Sequence, residues 1–225
     1  MTHIIVPIKD LSQAKQRLAG ILTSEQRAGL VLAMLEDLLL TLSTLDSCTV
    51  WVLASNPQVF RMAQRHGAQI INEHKSQGYN QAVAFGFTHF TSGPVAVIPG
   101  DVPLASRAEI QQLIRPVDDE NELIRLAPDK GKLGTNGLFL SQAKLMEPGF
   151  GAHSFTGYLN TAKTNGISVE KILGTGLGLD IDTPADLEQL IRHANQDVIH
   201  QGATHQFLQQ LGHYFKPQLL DQGAA

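Results

Sequence analysis

The stretch IIVPIK at residues 4–9, followed at once by DLSQAKQRL at residues 10–18, decides how the chain is interpreted. A short apolar run rich in β-branched residues predicts a buried strand. The loop after it carries Lys9, Lys15 and Arg17. Ligands of open α/β sheets bind beyond the carboxyl ends of the strands, so this loop would meet an anion such as a polyphosphate. A solvated turn whose cations pair with surface carboxylates is the alternative.

Composition sets the broad class of the protein. A chain of 225 residues with 43% hydrophobic content can bury the core of one α/β domain. A net charge of −4 provides no global field for nucleic acid or for an anionic membrane, so an anion site must be local. The single cysteine, Cys48, fits a reducing compartment. With no signal-peptide pattern and no long apolar run, we expect a cytoplasmic protein.

Strand-like and helix-like patterns alternate along the chain, which predicts a mostly parallel sheet covered by helices on both faces. A capping box at residues 23–26 begins the first helix. Further strands are predicted near residues 49–54, 68–72, 94–98, 122–127, 135–140 and 167–173. Further helices are predicted near residues 78–90, 106–115, 154–165 and 183–195. We therefore predict one domain over residues 1–195 and a helical extension over 196–225, where a helix at 205–215 either returns to the core or meets a partner.

A second group of candidate residues is PGDVPL at residues 99–104, directly after a predicted strand. The turn would place Asp101 at the carboxyl edge of the sheet, and Gly100 would let backbone approach a ligand closely. A carboxylate beside a bound polyphosphate usually acts through Mg²⁺, which needs only one or two protein ligands. Capping of the following helix, or an Asx-turn, is the alternative role for Asp101.

The third group is GLDIDTPAD at residues 178–186. Thr183 as N-cap, a proline at the first helical position and Asp186 two residues later account for one another as a helix start. Asp180 and Asp182 would project on the same face of an extended chain. Two close carboxylates repel each other unless a cation lies between them, and a shared metal would remove that cost.

Two glycine-containing turns and one helix start could contact an anion or a base. GTNG at residues 134–137 offers free backbone N–H groups and a hydroxyl. FGAHSF at residues 150–155 leads into a helix with Ser154 as its predicted N-cap, and a helix N-terminus is a ready anion site. Asn80, in GYNQA at residues 78–82, would read a base edge or cap the backbone.

Common motifs of other enzyme classes are missing from the sequence. It contains no GxGxxG, GxxxxGK[ST] or GxSxG pattern, which argues against a Rossmann dehydrogenase, a P-loop enzyme and an α/β-hydrolase. The histidines show no HExxH spacing, so a zinc site is not expected.

The combination of these segments resembles the guanylyltransferase family of coenzyme F420 biosynthesis, from about residue 3 to residue 195. The segments that carry the resemblance are VPIK (6–9), AKQRL (14–18), GYNQA (78–82), PGDVPL (99–104), GTNG (134–137), FG with SF (150–155) and DIDTP (180–184). The family implies a single-domain nucleotidyltransferase fold, similar to glycosyltransferase A and to the molybdenum-cofactor guanylyltransferases. It also implies transfer of GMP from GTP to a three-carbon phospho-acid (2-phospho-L-lactate or phosphoenolpyruvate), with release of pyrophosphate.

The resemblance also assigns roles to individual residues. The carboxylates expected to hold Mg²⁺ are those of Asp101, Asp180 and Asp182. The residues expected to bind the phosphate and carboxylate of the acid are Thr135, Gly151 and Ser154. The expected nucleotide contacts are Pro7, Lys15, Asn80 and Gly100. From the charge of the two reactants, we further expect Lys9, Lys15 and Arg17 to neutralise the triphosphate, and with Asp101 they form the expected catalytic set.

The chain departs from the family pattern at several positions. Gln16 stands where a small hydroxyl residue is common, and Tyr79 stands where leucine is usual. His153 and the pair at residues 156–157 replace a glycine and Ala-Arg beside the acid pocket. The identity of the acid is therefore the least constrained expectation, and 3-phospho-D-glycerate is included among the candidates.

Two other functions remain open on the sequence. One is a nucleotidyltransferase of the same fold that uses CTP or a molybdopterin or sugar-phosphate acceptor. The other is a non-catalytic module that senses GTP, although three carboxylates beside a polyanion disfavour it. Assembly as a homodimer is also open, and no nucleic-acid or membrane partner is expected.

Overall fold

The computed structural model describes residues 1–73, 78–117, 121–195 and 202–215. They form one seven-stranded sheet with helices on both faces, so the predicted fold class is confirmed. The strands are β1 (Thr2–Pro7), β2 (Cys48–Ala54), β3 (Gln69–Asn72), β4 (Val95–Val97), β5 (Leu123–Pro128), β6 (Thr135–Leu140) and β7 (Ser168–Lys171). The helices are α1 (Ser24–Ser43), α2 (Pro57–Arg65), α3 (Tyr79–Phe87), α4 (Arg107–Ile114), α5 (Ser154–Asn165), α6 (Pro184–Asn195) and α7 (Ala203–Phe215).

The order of strands determines what lies at each edge of the sheet. It is β3-β2-β1-β4-β6-β5-β7, with β1 parallel to both β2 and β4. Strand β6 is antiparallel to β4 and β5. Because β6 runs in the opposite direction, its first residues, Thr135 and Asn136, lie at the edge where β1 and β4 end. The same edge therefore collects the loops after β1, β4 and β5.

The core forms two layers because alternate residues of a strand face opposite sides. Ile4 and Val6 pack in the layer that contains the apolar face of α1. Ile5 packs in the other layer, with residues of α3 and α5 such as Val83 and Phe155. The predicted capping box is present at the start of α1, where Gln26 N donates to the Thr23 hydroxyl at 3.2 Å.

Helix α7 returns to the core, which is one of the two outcomes left open by the sequence. Leu208 and Leu211 are buried in the layer of α1. The Asp37 carboxylate of α1 accepts hydrogen bonds from the N–H groups of Ala203 at 2.7 Å and Thr204 at 2.9 Å. The division into 1–195 and 196–225 stays a prediction, since residues 196–201 and 216–225 lie outside the described residues. Among the described helices, none combines the length and apolarity needed to cross a bilayer.

Candidate active site

Lys15 is the centre of the candidate site. Its backbone is left-handed, with φ 47° and ψ 46°, and its side chain is only 6% exposed. The ammonium donates to Asp101 Oδ2 at 2.5 Å and to Asp182 Oδ1 at 2.7 Å. Lys15, Asp101 and Asp182, which we call the charged cluster, come from three distant parts of the chain. The structure thus brings together three of the predicted residues.

The electrostatics of the charged cluster favour the ionised forms of Lys15 and Asp182. Burial by itself would lower the pKa of Lys15, but the Asp101 and Asp182 carboxylates outweigh burial and raise that pKa above its usual value. Burial would raise the pKa of Asp182, but Lys15 outweighs it, with help from Lys9 and Arg17, and the pKa lies below its usual value. A lysine ammonium therefore lies between two carboxylates as the shared cation.

Asp101 is held by the turn that follows β4. A Cβ on Gly100 would lie 2.1 Å from Ile8 Cδ1, so a larger residue here would displace the end of the buried Ile8 side chain. Helix α4 is capped by Ser106 rather than by Asp101. Asp101 Oδ2 accepts from Lys15, whereas Oδ1 is buried without a hydrogen-bond partner among the described residues. The capping and Asx-turn alternatives for Asp101 are therefore wrong.

Asp180 lies close enough to the charged cluster to feel its charge. Burial, followed by the Asp101 carboxylate, raises the pKa of Asp180, and a hydrogen bond from Asn136 Nδ2 to its Oδ1 at 3.1 Å partly opposes this shift. In the described part of the chain, however, no three His, Cys, Asp or Glu side chains are grouped as a metal site. The expected set of three aspartate ligands stays a prediction.

The residues present do fit a magnesium ion held by fewer protein ligands. Mg²⁺ prefers oxygen ligands and is commonly held by one or two carboxylates together with substrate phosphates. Asp101 Oδ1 is a buried carboxylate oxygen that lacks a partner among the described residues. Asp101 therefore has the carboxylate oxygen best suited to this ion, whereas Asp182 Oδ1 already accepts from Lys15.

The start of α6 is formed as predicted, with Thr183 and Asp186 bonded to each other. Asp186 N donates to the Thr183 hydroxyl at 3.3 Å, and Thr183 N donates to Asp186 Oδ2 at 2.8 Å. Lys130, from the loop after β5, also donates to Asp186 Oδ1 at 2.5 Å. No local sequence signal predicted this last pair, whose members are 56 positions apart. The contact ties the loop after β5 to the segment that carries Asp182.

Thr135, Gly151 and Ser154, which we call the hydroxyl wall, form the other part of the site. Thr135 is buried, and its hydroxyl accepts a hydrogen bond from the Ser154 hydroxyl at 3.1 Å. Gly151 has φ 126°, a conformation that L side chains rarely adopt. A direct hydrogen bond therefore joins two of the three residues that are expected to bind the acid. The third, Gly151, begins the turn into α5.

The prediction that Ser154 is the N-cap of α5 is wrong. The N-cap is His153, in a left-handed conformation with φ 65° and no capping hydrogen bond from its side chain. Ser154 is the first helical residue, and its hydroxyl is directed toward Thr135. The sequence did not predict a positive φ at His153. The contact of Ser154 with Thr135 of β6 is tertiary, and local sequence does not encode it.

Asn80 is bound to the backbone rather than open to a base. Its Nδ2 donates to the Phe150 carbonyl at 2.9 Å, and its Oδ1 accepts from Phe150 N at 2.8 Å. This is the backbone-capping alternative of the sequence analysis, and it fixes the turn that leads to Gly151. Neighbouring Tyr79 places its ring edge-on against Phe150 at 5.4 Å. Burial, followed by the Asp101 carboxylate, raises the pKa of Tyr79.

The remaining predicted residues surround the charged cluster. Lys9 is exposed, and its ammonium lies 5.3 Å from the centroid of the Tyr79 ring. The Arg17 side chain is 74% exposed and lies 3.8 Å from Asp182 Oδ2. Pro7 is the buried last residue of β1. Sequence reasoning missed Asn136 as a partner of Asp180, although it lies within the quoted GTNG turn.

The fold and site define a class of protein. A sheet with one reversed strand, whose carboxyl edge gathers a cationic loop and aspartates, is the arrangement of glycosyltransferase-A-like nucleotidyltransferases. Two solved structures share this fold. One, from Desulfovibrio desulfuricans, is described as a nucleotide-diphospho-sugar transferase (TM-score 0.75, 13% identity, 96% of each chain). The other is a cytidylyltransferase from Leptospira borgpetersenii (TM-score 0.59, 10% identity, 100% of this chain and 98% of that one).

Sequence comparison identifies the family within this class. The family model described as "Guanylyl transferase CofC like" matches residues 2–223. The phosphoenolpyruvate guanylyltransferase of Sphaerobacter thermophilus is 34% identical over 86% of this chain and 94% of its own length. The 2-phospho-L-lactate guanylyltransferase of Methanocaldococcus infernus is 32% identical over 86% of each chain. The chain belongs to the CofC-like guanylyltransferase family.

Proposed function

We propose that the protein transfers GMP from GTP to the phosphate of a three-carbon phospho-acid and releases pyrophosphate, as a step of coenzyme F420 biosynthesis. The observation that carries the proposal is the charged cluster, because Lys15, Asp101 and Asp182 converge at the sheet edge that also holds the hydroxyl wall. Family membership supports the guanylyl group, and the printed names of the relatives support the class of acid. A cytoplasmic location belongs to the same proposal.

The chemistry is mainly a problem of charge. A phosphate oxygen of the acid attacks the α-phosphorus of GTP, a new P–O bond forms, and the bond to the leaving pyrophosphate breaks. Both reactants are anions, so positioning and electrostatic stabilisation supply most of the catalysis, and no covalent enzyme intermediate is needed. Lys9 and Arg17 are exposed at the mouth of the site, where they can bind triphosphate oxygens.

Mg²⁺ is the metal we propose for this reaction, with Asp101, Asp180 and Asp182 as its protein ligands. When bound, it would neutralise phosphate charge and orient the reacting oxygens. Lys15 donates to Asp101 and Asp182 and keeps these two carboxylates together. The chain's contribution is therefore a set of carboxylates held in place before any substrate arrives.

The hydroxyl wall is the proposed site of the acid. Thr135 and Ser154 place two hydroxyl groups 3.1 Å apart, which suits the oxygens of a phosphate or carboxylate. The hydrogen bond from Asn136 to Asp180 joins this wall to the aspartates. The two relatives above are named for different acids, so their names leave phosphoenolpyruvate and 2-phospho-L-lactate as equal candidates.

The test is incubation with Mg²⁺ and GTP together with phosphoenolpyruvate, 2-phospho-L-lactate or 3-phospho-D-glycerate, each read by product mass. We expect a GMP adduct and pyrophosphate with at least one acid and neither product in a control without acid. A parallel series with CTP tests the base. Preference for CTP would contradict the guanylyl assignment, and GTP binding without pyrophosphate release for any acid would indicate a sensing module.

A further inference from the structure

Arg27, on the first turn of α1, contacts residues 14–22, the segment that carries Lys15 and Arg17, which we call the catalytic loop. The residue is 7% exposed. Its Nε donates to the Ala14 carbonyl at 3.0 Å, and its Nη1 donates to the Leu22 carbonyl at 3.0 Å. Among the described residues, it forms no ion pair with a carboxylate. Burying a guanidinium costs free energy unless its N–H groups are hydrogen-bonded. Here those hydrogen bonds go to the main chain on either side of residues 15–21.

The two carbonyls that Arg27 binds flank the segment that contains Lys15. Ala14 immediately precedes Lys15, which has a left-handed backbone that is unfavourable for a residue with a side chain. Such a conformation persists only where the surroundings hold it. One planar guanidinium that reaches both ends of the segment fixes the distance between them, which a lysine ammonium cannot do with the same fork geometry.

We infer that Arg27 is a positioning residue for the catalytic loop: by holding the Ala14 and Leu22 carbonyls, it keeps Lys15 in the conformation that reaches Asp101 and Asp182. Apolar side chains also anchor the loop, among them the buried Leu18. These side chains fix where the loop lies on the core, whereas the two Arg27 hydrogen bonds act on the main chain itself. The consequence for nucleotide binding rests on the proposed function.

Arg125 provides a matched control elsewhere in the fold. It is also a buried arginine that donates to two main-chain carbonyls, those of Leu113 at 3.2 Å and Arg115 at 2.6 Å. These carbonyls lie at the end of α4, and Arg125 also pairs with Glu170. Loss of Arg125 should therefore lower the thermal stability without releasing residues 15–21.

The first experiment follows trypsin cleavage after Lys15 and Arg17 in the wild-type protein and in the Arg27→Met, Arg27→Lys and Arg125→Met variants. Cleavage of a native protein reports local opening, and the experiment is run well below the melting temperature of each variant. We expect Arg27→Met to speed cleavage at these two bonds about tenfold or more, because two hydrogen bonds of a charged donor are lost. Arg27→Lys should fall between wild type and Arg27→Met, and Arg125→Met should match wild type at these bonds.

The second experiment measures the melting temperature together with kcat and KM for GTP in Arg27→Lys and Arg125→Lys. We expect kcat/KM for GTP to fall about tenfold in Arg27→Lys and to stay within about twofold of wild type in Arg125→Lys, at a similar loss of melting temperature. Equal cleavage rates in Arg27→Met and Arg125→Met, or equal loss of activity in the two lysine variants, would overturn the inference. The cleavage result does not depend on GTP, so a wild-type protein without guanylyl transfer would contradict the proposed function alone.

Discussion

The charged cluster and the hydroxyl wall share one edge of the sheet but are held together in different ways. In the charged cluster, Lys15 lies between Asp101 and Asp182 at hydrogen-bond distance from both carboxylates. In the hydroxyl wall, neutral groups meet through one hydroxyl–hydroxyl hydrogen bond and a glycine with positive φ. The comparison leads us to expect that the two parts of the site bind different groups of the substrates. Under the proposed function, the charged cluster would bind phosphate charge and the hydroxyl wall would bind the acid.

The largest expected effect comes from removing a charge from the charged cluster. Asp101→Asn should lower kcat/KM about 10²–10³-fold, since losing one charge-stabilising contact in an active site commonly has this effect. The fold should remain intact, because Lys15 keeps Asp182 as a partner. Steady-state kinetics and circular dichroism measure the two quantities. The exposed Asp46 supplies a control, Asp46→Asn, and near-normal activity of Asp101→Asn would contradict the proposed role.

A second change tests whether Lys15 is the cation that keeps the carboxylates together. Lys15→Met leaves Asp101 and Asp182 close together without their ammonium, which favours a divalent cation in its place. We expect the affinity of the nucleotide-free protein for Mn²⁺, measured by electron paramagnetic resonance, to rise about tenfold. Turnover of GTP should fall in the same variant.

Arg17→Met is the matched control for Lys15→Met. Arg17 is 74% exposed and lies 3.8 Å from Asp182, and exposed ion pairs contribute little. Its loss should change Mn²⁺ affinity less than about twofold. If Lys15→Met bound Mn²⁺ no better than Arg17→Met does, the ammonium would not be occupying a cation position.

A third change separates the hydroxyl wall from the charged cluster. Ser154→Ala should raise KM for the acid about tenfold, because it removes a hydrogen bond to a charged ligand. KM for GTP should stay within about twofold of wild type, since Ser154 contacts Thr135 rather than the charged cluster. Ser43→Ala, at an exposed site on α1, is the control. Equal increases in both KM values would show that the two regions do not divide the substrates between them.

The smallest expected effect is on the pH dependence of the free energy of unfolding. It comes from Asp180, which lies between the two regions. Its pKa in the folded protein is raised by burial and by Asp101, so folded Asp180 holds its proton more tightly than the unfolded chain does. The free energy of unfolding should therefore fall as pH rises from the ordinary aspartate range through this raised pKa. Asp180→Asn should flatten that part of the curve. Denaturant unfolding at a series of pH values measures it, and an unchanged slope would show that Asp180 does not titrate as described.

The elements of the fold could be predicted well from local pattern. The capping box at Thr23 and the proline-led start of α6 were placed correctly, because side chains within one turn determine a helix start. The position of Asp101 at the sheet edge could also be predicted, because a buried strand is followed there by glycine and aspartate. Ser154 was assigned wrongly as a cap, since its hydroxyl instead meets Thr135 on a neighbouring strand.

The sequence by itself determined the alternation of strands and helices, the family and the residue types that carry charge, because these depend on periodicity and on short motifs. Only the tertiary structure decided that Lys15 would lie between Asp101 and Asp182, which are 86 and 167 positions away. It also decided that reversed β6 would bring Thr135 to the same edge, and that Arg27 would hold the loop of Lys15. These contacts depend on the order and direction of strands, which a local pattern does not encode.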